Sequence, residues 1–176
     1  RKLDMFERFG FMAETARESA VDKVLEYLQK GINVVIEFGR YGNSLEAYIL
    51  VANFLTRRIH TAYVERKEAA QGGSATNHGD EPRQLVITIE EAHKFLDPLI
   101  AKQTIFGTIS RELRKYNVTL LIVDQRPSGI DPEVMSQIGT RVTCLLDDEQ
   151  DIRAVFSGIS GAGELRQVLA RLDTRQ

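Results

Sequence analysis

Two consecutive carboxylates, Glu90 and Glu91, follow a short apolar run and are the side chains of this sequence best suited to chemistry. Every residue of the run, 85–89, is apolar or β-branched, as in strands buried on both faces of a parallel sheet. A parallel strand delivers the residues that follow it to the carboxyl edge of the sheet, where open α/β sheets bind ligands. At such an edge one carboxylate can hold Mg²⁺ while the next polarises an attacking water, which is what nucleotide hydrolysis requires.

The same stretch has a simpler interpretation as a strand followed by a helix. The first turn of a helix is often acidic, because carboxylates there interact favourably with the helix dipole. Taken alone, the stretch supports a Walker B-like site and a plain helix start equally. The decision between them therefore rests on the rest of the sequence.

Strands and helices alternate along the chain. Runs of β-branched and apolar residues predict strands at residues 32–38, 85–89, 118–123 and 140–146. Apolar residues at helical spacing predict helices at residues 19–30, 45–70, 103–116, 131–138, 151–156 and 162–172. Residues 71–83 lack apolar periodicity, which predicts a mobile surface loop. The alternation predicts an α/β fold with a largely parallel sheet.

The composition is that of an ordinary globular chain of 176 residues, enough for one domain with a substantial core. The net charge of −2 gives no general basic signal for nucleic acid, although a ring with a few basic loops facing a channel remains compatible with it. The single cysteine, Cys144, excludes an internal disulfide. No apolar stretch approaches the roughly 20 residues that span a bilayer, and the start lacks the apolar core of a signal peptide. We therefore expect a cytoplasmic location and no membrane partner.

Three segments carry a resemblance to one family. They are residues 85–96, 110–118 and 123–141, the last of which contains Gln-Arg-Pro-Ser followed by Ser-Gln and Thr-Arg. In these segments the sequence resembles the HerA ATPases, DNA translocases of the HerA/FtsK group within the RecA-like P-loop proteins. The resemblance extends over most of residues 19–173. It implies a three-layer RecA-like domain with a mostly parallel sheet.

The resemblance also assigns roles to polar residues that follow the predicted strands. Glu90 would bind Mg²⁺ beside ATP, and Glu91 would be the catalytic carboxylate that orients water. Gln125, which follows the strand at 118–123, would contact the γ-phosphate or the attacking water. Considered alone, Gln125 would be a loop residue that caps backbone groups. His93 is predicted to begin a helix or support the site, because the sequence has no His-x-x-x-His pair that would indicate a metal ligand.

Three arginines are candidates for a contact with the nucleotide of a neighbouring subunit. In the ring that the resemblance implies, such an arginine would stabilise charge on the γ-phosphate. Arg114 is the first candidate and Arg111 the second, while Arg141 is the third and would also bind nucleotide. The simpler alternative for Arg111 and Arg114 is a cation at the carboxyl end of a helix, where the dipole favours positive charge.

One feature of the family is absent from these residues. The sequence contains no Gly-x-x-x-x-Gly-Lys-Ser/Thr, and its nearest glycine loop, residues 39–44, lacks the lysine. Related chains carry that motif upstream, after a β-barrel domain. Residues 1–176 would therefore be the C-terminal portion of a RecA-like ATPase domain, with the β-barrel and the phosphate-binding loop outside them. Alone, this portion is expected to bind ATP and Mg²⁺ weakly or not at all and to be inactive.

For the whole protein, the resemblance implies a homo-hexameric, ATP-dependent translocase of duplex DNA. HerA proteins act with a NurA-type nuclease in DNA end processing and repair, so such a nuclease is the implied partner. An FtsK-like or conjugation-type DNA pump is an alternative within the same superfamily. A non-catalytic assembly or regulatory module with a RecA-like fold is an alternative from another class, and the missing phosphate-binding loop favours it on its face. The presence of both acids, the glutamine and the arginines argues instead for a truncated ATPase.

Overall fold

The computed structural model describes residues 20–38, 44–72, 81–169 and 171–172. The chain divides into two compact units. The first unit comprises Arg1–Leu85 and Lys115–Val118, and the second comprises Val86–Arg114 and Thr119–Gln176. Most of the predicted mobile loop, residues 73–80, lies outside the described residues.

The first unit contains two helices that pack against each other, α1 (Ala20–Gln29) and α2 (Leu45–Gly72). Both were expected from the apolar periodicity, and both are confirmed. Helix α1 is followed by Gly31, whose φ of +76° lies in the left-handed region that glycine adopts without strain. Apolar side chains from both helices are buried: Val21, Ala47, Ile59 and Tyr63.

Residues 32–38 of the first unit are not a strand, and that prediction is wrong. They have no regular secondary structure, and Val35 is 91% exposed. A β-branched run becomes a strand only when its backbone N–H and C=O groups find a partner in a neighbouring strand. Among the residues that the structure describes, none forms a ladder with this segment.

The described sheet consists of two parallel strands, β1 (Leu85–Glu90) and β2 (Val118–Val123). Both strands agree with the prediction to within one residue. The burial of the strands differs from the prediction. Buried or partly buried residues alternate with exposed ones along most of each strand, so the expectation of burial on both faces is wrong. One face meets no covering layer among the described residues. The fold is α/β with a small parallel sheet.

Short helices make up most of the second unit. Three lie between the strands, namely α3 (His93–Leu96), α4 (Pro98–Ala101) and α5 (Ile105–Glu112). A 3₁₀ turn at Leu113–Tyr116 continues α5, so the predicted helix at 103–116 is present but tightens at its end. After β2 come a 3₁₀ turn at Pro127–Gly129 and three helices, α6 (Pro132–Gln137), α7 (Glu149–Phe156) and α8 (Ala162–Leu169).

The core of the second unit lies among these helices. The rings of Phe95 and Phe106 pack with their centroids 5.3 Å apart, and both side chains are almost fully buried. Residues 140–146, predicted as a strand, have no regular secondary structure, and Val142 is 93% exposed. The reason is the same as for residues 32–38, since neither segment has a ladder partner in the described sheet. None of the described helices is long and apolar enough to cross a membrane.

Candidate functional site

The carboxyl edge of the two-stranded sheet gathers the polar residues that the sequence singles out. Glu90 ends β1, and Glu91 follows it. Asp124 and Gln125 follow the end of β2, the parallel neighbour of β1. The predicted adjacency of the two strands is therefore confirmed, and Glu90 and Gln125 are both exposed to solvent at this edge.

Glu91 occupies a backbone conformation that is unusual for a residue with a side chain. Its φ is +52°, in the left-handed region, and this kink turns the chain from β1 towards α3. The kink is held by the Lys94 amide, which donates to the Glu91 carbonyl at 3.0 Å. The carboxylate oxygen Oε2 lies 3.9 Å from His93 Nε2 and 3.8 Å from Lys94 Nζ. Two groups that can carry positive charge thus lie beside the Glu91 carboxylate.

Asp124 is the most strongly held side chain of the site, and its carboxyl group is only 3% exposed. It accepts the backbone N–H of His93 at 2.7 Å, the backbone N–H of Arg126 at 2.6 Å and the imidazole Nδ1 of His93 at 2.9 Å. Burial raises the pKa of Asp124, but hydrogen bonds from the two backbone amides and the His93 ring outweigh burial and hold that pKa below its usual value. Asp124 is therefore an ionised, buried acceptor.

His93 joins the two acidic residues. It begins α3, as predicted, and the Asp124 carboxylate accepts its N–H, which helix α3 itself cannot satisfy. Because Asp124 is ionised, Nδ1 of His93 carries the proton of their hydrogen bond, and Nε2 is the nitrogen that faces Glu91. The order of contacts is therefore Asp124, His93, Glu91.

Asp124 is the member of this group that sequence reasoning missed. The sequence did contain a signal, because an aspartate directly after a buried strand lies at the same sheet edge as Glu90 and Glu91. Because the adjacent Gln125 matched the family pattern, the functional role at this strand end was assigned to Gln125 and not to Asp124.

The loop after Gln125 is fixed at several points. The amide of Ser128 donates to the buried carboxylate of Asp151 at 2.9 Å. Asp131 then caps α6 by accepting the N–H groups of Glu133 and Val134, and its own N–H donates to the Leu96 carbonyl at 2.6 Å. Ser128 of the Gln-Arg-Pro-Ser segment is therefore attached to α7, and Asp131, three residues later, is attached to the end of α3.

Arg111 and Arg114 precede β2 in the sequence. Arg111 is in α5, and Arg114 is in the 3₁₀ turn that precedes the amino end of the strand. The amino end of β2 is opposite to the carboxyl end, which Asp124 and Gln125 follow. The side chains of both arginines lie outside the part that the structure describes, and their predicted role towards a neighbouring subunit stays a prediction.

Arg141 contacts the backbone of its own unit. Its guanidinium donates from Nη1 to the carbonyl oxygens of Val155 and Ser157, at 2.5 and 2.9 Å, and from Nη2 to that of Met135, at 2.6 Å. These carbonyls lie near the ends of α6 and α7, where helices leave backbone acceptors unpaired. In this arrangement Arg141 ties two helix ends together, and its predicted contact with nucleotide stays a prediction.

The acidic pair has the donor chemistry that Mg²⁺ prefers. Among the described residues, no three His, Cys, Asp or Glu side chains are grouped so that they could hold a metal by themselves. Mg²⁺ does not need such a cage, because it is commonly bound through one or two carboxylates together with water and substrate phosphates. The exposed carboxylate of Glu90, at the end of β1, fits that requirement.

Comparison with known proteins covers nearly the whole chain. No family model matches the sequence. The chain is 30% identical over 97% of its length to the DNA double-strand break repair helicase HerA of Sulfolobus acidocaldarius, of which it covers 32%. It is 28% identical to the protein of the same name from Sulfurisphaera tokodaii and 27% identical to that of Saccharolobus solfataricus, again over 97% of the chain and about a third of each relative. The chain is therefore a homologue of a segment of the HerA helicases.

Proposed function

We propose that the chain is the C-terminal portion of the RecA-like ATPase domain of a DNA-translocating helicase of HerA type. One observation carries this proposal: Glu90, Glu91 and Gln125 lie at the carboxyl ends of two adjacent parallel strands, in a homologue of a segment of the HerA helicases. Ligands of α/β sheets bind at that edge. The site then belongs to the Walker B side of an ATPase, and a phosphate-binding loop must come from residues outside this chain.

In the proposed reaction, a water molecule attacks the γ-phosphorus of ATP. The new P–O bond forms as the bond from the γ-phosphorus to the β,γ-bridging oxygen breaks, so that ADP leaves with the electron pair. Glu91 accepts a proton from the attacking water and returns it to solvent or product. Gln125 donates a hydrogen bond to the water or to a γ-phosphate oxygen. Glu90 would hold Mg²⁺, which when bound neutralises negative charge on the phosphates.

The exposed strand-like segments support a larger sheet in the whole protein. Residues 32–38 and 140–146 have strand composition, no ladder partner among the described residues, and valines that are almost fully exposed. A β-branched run that stays exposed leaves its apolar side chains in water and its backbone groups open to pairing with another strand. A three-layer, mostly parallel RecA-like sheet would pair them with further strands. This domain would follow a β-barrel domain and the phosphate-binding loop.

In the whole protein we propose a homo-hexamer in the cytoplasm that moves duplex DNA and works with a NurA-type nuclease in DNA end processing. Arg114, or else Arg111 or Arg141, would then reach the ATP of the neighbouring subunit. An FtsK-like or conjugation-type pump would use the same site with a different upstream domain.

A non-catalytic assembly module is the second candidate, and one observation favours it. These 176 residues contain no Gly-x-x-x-x-Gly-Lys-Ser/Thr, so they lack the backbone amides and the lysine that cradle the β- and γ-phosphates. A module of this kind would keep the fold and bind no nucleotide. The two candidates therefore differ in ATP binding by the full-length protein.

Steady-state ATP hydrolysis by the full-length protein, with Mg²⁺ and with or without duplex DNA, tests the proposal. We expect turnover that Glu91→Gln lowers by about 100-fold or more, because removing a general base typically costs 10²- to 10⁴-fold. ATP binding by this variant should persist. Glu164→Gln, on the exposed face of α8, is the matched control and should leave turnover unchanged. The isolated 176-residue chain should show no turnover, and a full-length protein that binds no ATP would favour the assembly module.

A further inference from the structure

We infer that His93 is a positioning residue that sets the orientation of the Glu91 carboxylate, with Asp124 as its anchor. The inference rests on the proposed function, because its catalytic consequence requires Glu91 to act on water. It assigns a role to two residues, His93 and Asp124, that neither bind metal nor contact nucleotide in the proposed mechanism. Its evidence is the chain of contacts from Asp124 through His93 to Glu91.

The anchor is rigid because Asp124 is buried and fully engaged. Its carboxylate is 3% exposed and accepts two backbone amides as well as the His93 ring. A carboxylate that accepts several charge-assisted hydrogen bonds cannot turn without breaking them. Since His93 is bonded to Asp124 through both its backbone N–H and its ring, the ring plane has little freedom to rotate.

The ring is also confined on a second side. Gly129, in the 3₁₀ turn after β2, lies so close that a Cβ added there would be 3.1 Å from the Cβ of His93. Such a distance is tighter than an ordinary van der Waals contact between side chains. The glycine therefore gives His93 the room to keep its place beside Asp124, and the surrounding backbone limits any movement away from it.

The second nitrogen of the ring is directed at Glu91. His93 Nε2 lies 3.9 Å from Glu91 Oε2, which is longer than a hydrogen bond. With the proton on Nδ1 both of these atoms are acceptors, so one water that donates a hydrogen to each would link them. The Glu91 backbone is itself fixed in the left-handed region. The Glu91 side chain is 46% exposed and also lies 3.8 Å from Lys94 Nζ, so a link to the fixed Nε2 would narrow the positions that are open to its carboxylate.

A purely structural role for His93 would need only half of these contacts. The hydrogen bonds to Asp124 use the backbone N–H and Nδ1, and they would serve to join α3 to the end of β2. The direction of Nε2 towards Glu91 adds nothing to that join. Positioning and anchoring can therefore be separated by a substitution that keeps the Nδ1 donor and removes Nε2.

His93→Asn makes this separation, because the asparagine amide nitrogen occupies the place of Nδ1 and nothing replaces Nε2. In the full-length protein we expect kcat for ATP hydrolysis to fall roughly 10- to 100-fold, the usual cost of misplacing a catalytic group or removing its support. The KM for ATP and the thermal midpoint should stay close to those of the unmodified protein. His93→Gln, which keeps a nitrogen near Glu91 and loses the Asp124 donor, should lower both kcat and the thermal midpoint.

His60→Asn is the control, since His60 lies in α2 of the other unit and takes no part in the site. Its kcat should match that of the unmodified protein. Turnover by His93→Asn within about twofold of the unmodified protein would overturn the inference and leave His93 as an anchor only.

Crystal structures of the unmodified and His93→Asn proteins give a readout that does not depend on turnover. We expect the hydrogen bond to Asp124 to persist in the variant while the Glu91 carboxylate moves or becomes disordered. A Glu91 that makes no contact with His93 in the unmodified protein, directly or through one water, overturns the inference even if His93→Asn does not fold. If the unmodified protein hydrolyses no ATP, the proposed function fails, and the structures still decide whether His93 positions Glu91.

Discussion

Two apolar runs of this chain, residues 32–38 and β2, have similar β-branched compositions and different structures. Residues 118–123 form β2, which pairs with β1 and buries Val118 to 2% exposure. Residues 32–38 remain without regular structure, and Val35 is 91% exposed. The difference shows that β-propensity describes how well a residue fits a pleated, half-buried surface, and that the surface itself has to be supplied by a neighbouring strand.

The flanking residues differ as much as the strands do. The chain enters β2 from Asn117, whose carbonyl accepts the N–H of Leu85 at the start of β1. It leaves β2 through Asp124, whose buried carboxylate ties the end of the strand to α3. Residues 32–38 follow Gly31, which ends α1, and their only acid, Glu37, is exposed. A strand is thus held by contacts at its two ends as well as by its ladder.

Among the substitutions that test this comparison, one at Asp124 is expected to change the free energy of unfolding the most. Asp124→Ala removes the acceptor of two backbone amides and of the His93 ring, and we expect it to destabilise the chain by about 2–4 kcal/mol. Urea denaturation measures this loss. Glu37→Ala removes an exposed acid from the unpaired run and should change the free energy of unfolding by less than about 0.5 kcal/mol. Equal effects at the two sites would show that Asp124 does not anchor β2.

A smaller effect is expected from the apolar side chains of the two runs. Val118→Ala removes buried methyl groups from β2, and at about 0.8 kcal/mol per buried CH₂ with an added cavity term it should cost about 2 kcal/mol. Val35→Ala makes the same chemical change at an exposed position and should cost less than about 0.5 kcal/mol. The paired denaturation curves sharpen the comparison, because both substitutions remove the same atoms. A large loss at Val35 would mean that residues 32–38 are paired in solution.

The comparison also explains which parts of the fold could be predicted from the sequence. Helices α1 and α2 and both strands could be located, because their signals are local: apolar spacing, a terminating Gly31 and short β-branched runs. The failed strands at 32–38 and 140–146 carry equally good local signals. Among the residues that the structure describes they have no partner strand, and pairing is a long-range property that composition does not encode.

The same division holds at the candidate site. The placement of Glu90, Glu91 and Gln125 at one sheet edge follows from strand boundaries and a parallel topology, and it could be predicted. The hydrogen bond between Asp124 and His93 joins residues that are 31 positions apart, so no local sequence pattern predicts it. The contacts of Arg141 with the ends of α6 and α7 are equally non-local, and sequence favoured a nucleotide contact instead.

The smallest effect concerns the pH dependence of the Asp124 anchor. Because the folded-state pKa of Asp124 lies below its usual value, the folded state favours the ionised form more than the unfolded chain does. The resulting stability is fully present above the unfolded-state pKa of about 3.9 and is lost as the pH falls through the lower, folded-state pKa. The free-energy difference between the unmodified chain and Asp124→Ala should therefore narrow as the pH falls from about 5 towards 3.

Urea denaturation of both chains across this range measures the difference, and the contributions of acids remote from Asp124 cancel because they are common to the two. The decrease in this free-energy difference at low pH should be smaller than the difference itself, since a protonated Asp124 can still accept a hydrogen bond from one of the backbone amides. Glu37→Ala again provides the reference, and its difference from the unmodified chain should stay near zero at every pH. A difference for Asp124→Ala that is unchanged down to pH 3 would mean that Asp124 holds β2 through its shape and neutral hydrogen bonds rather than through its charge.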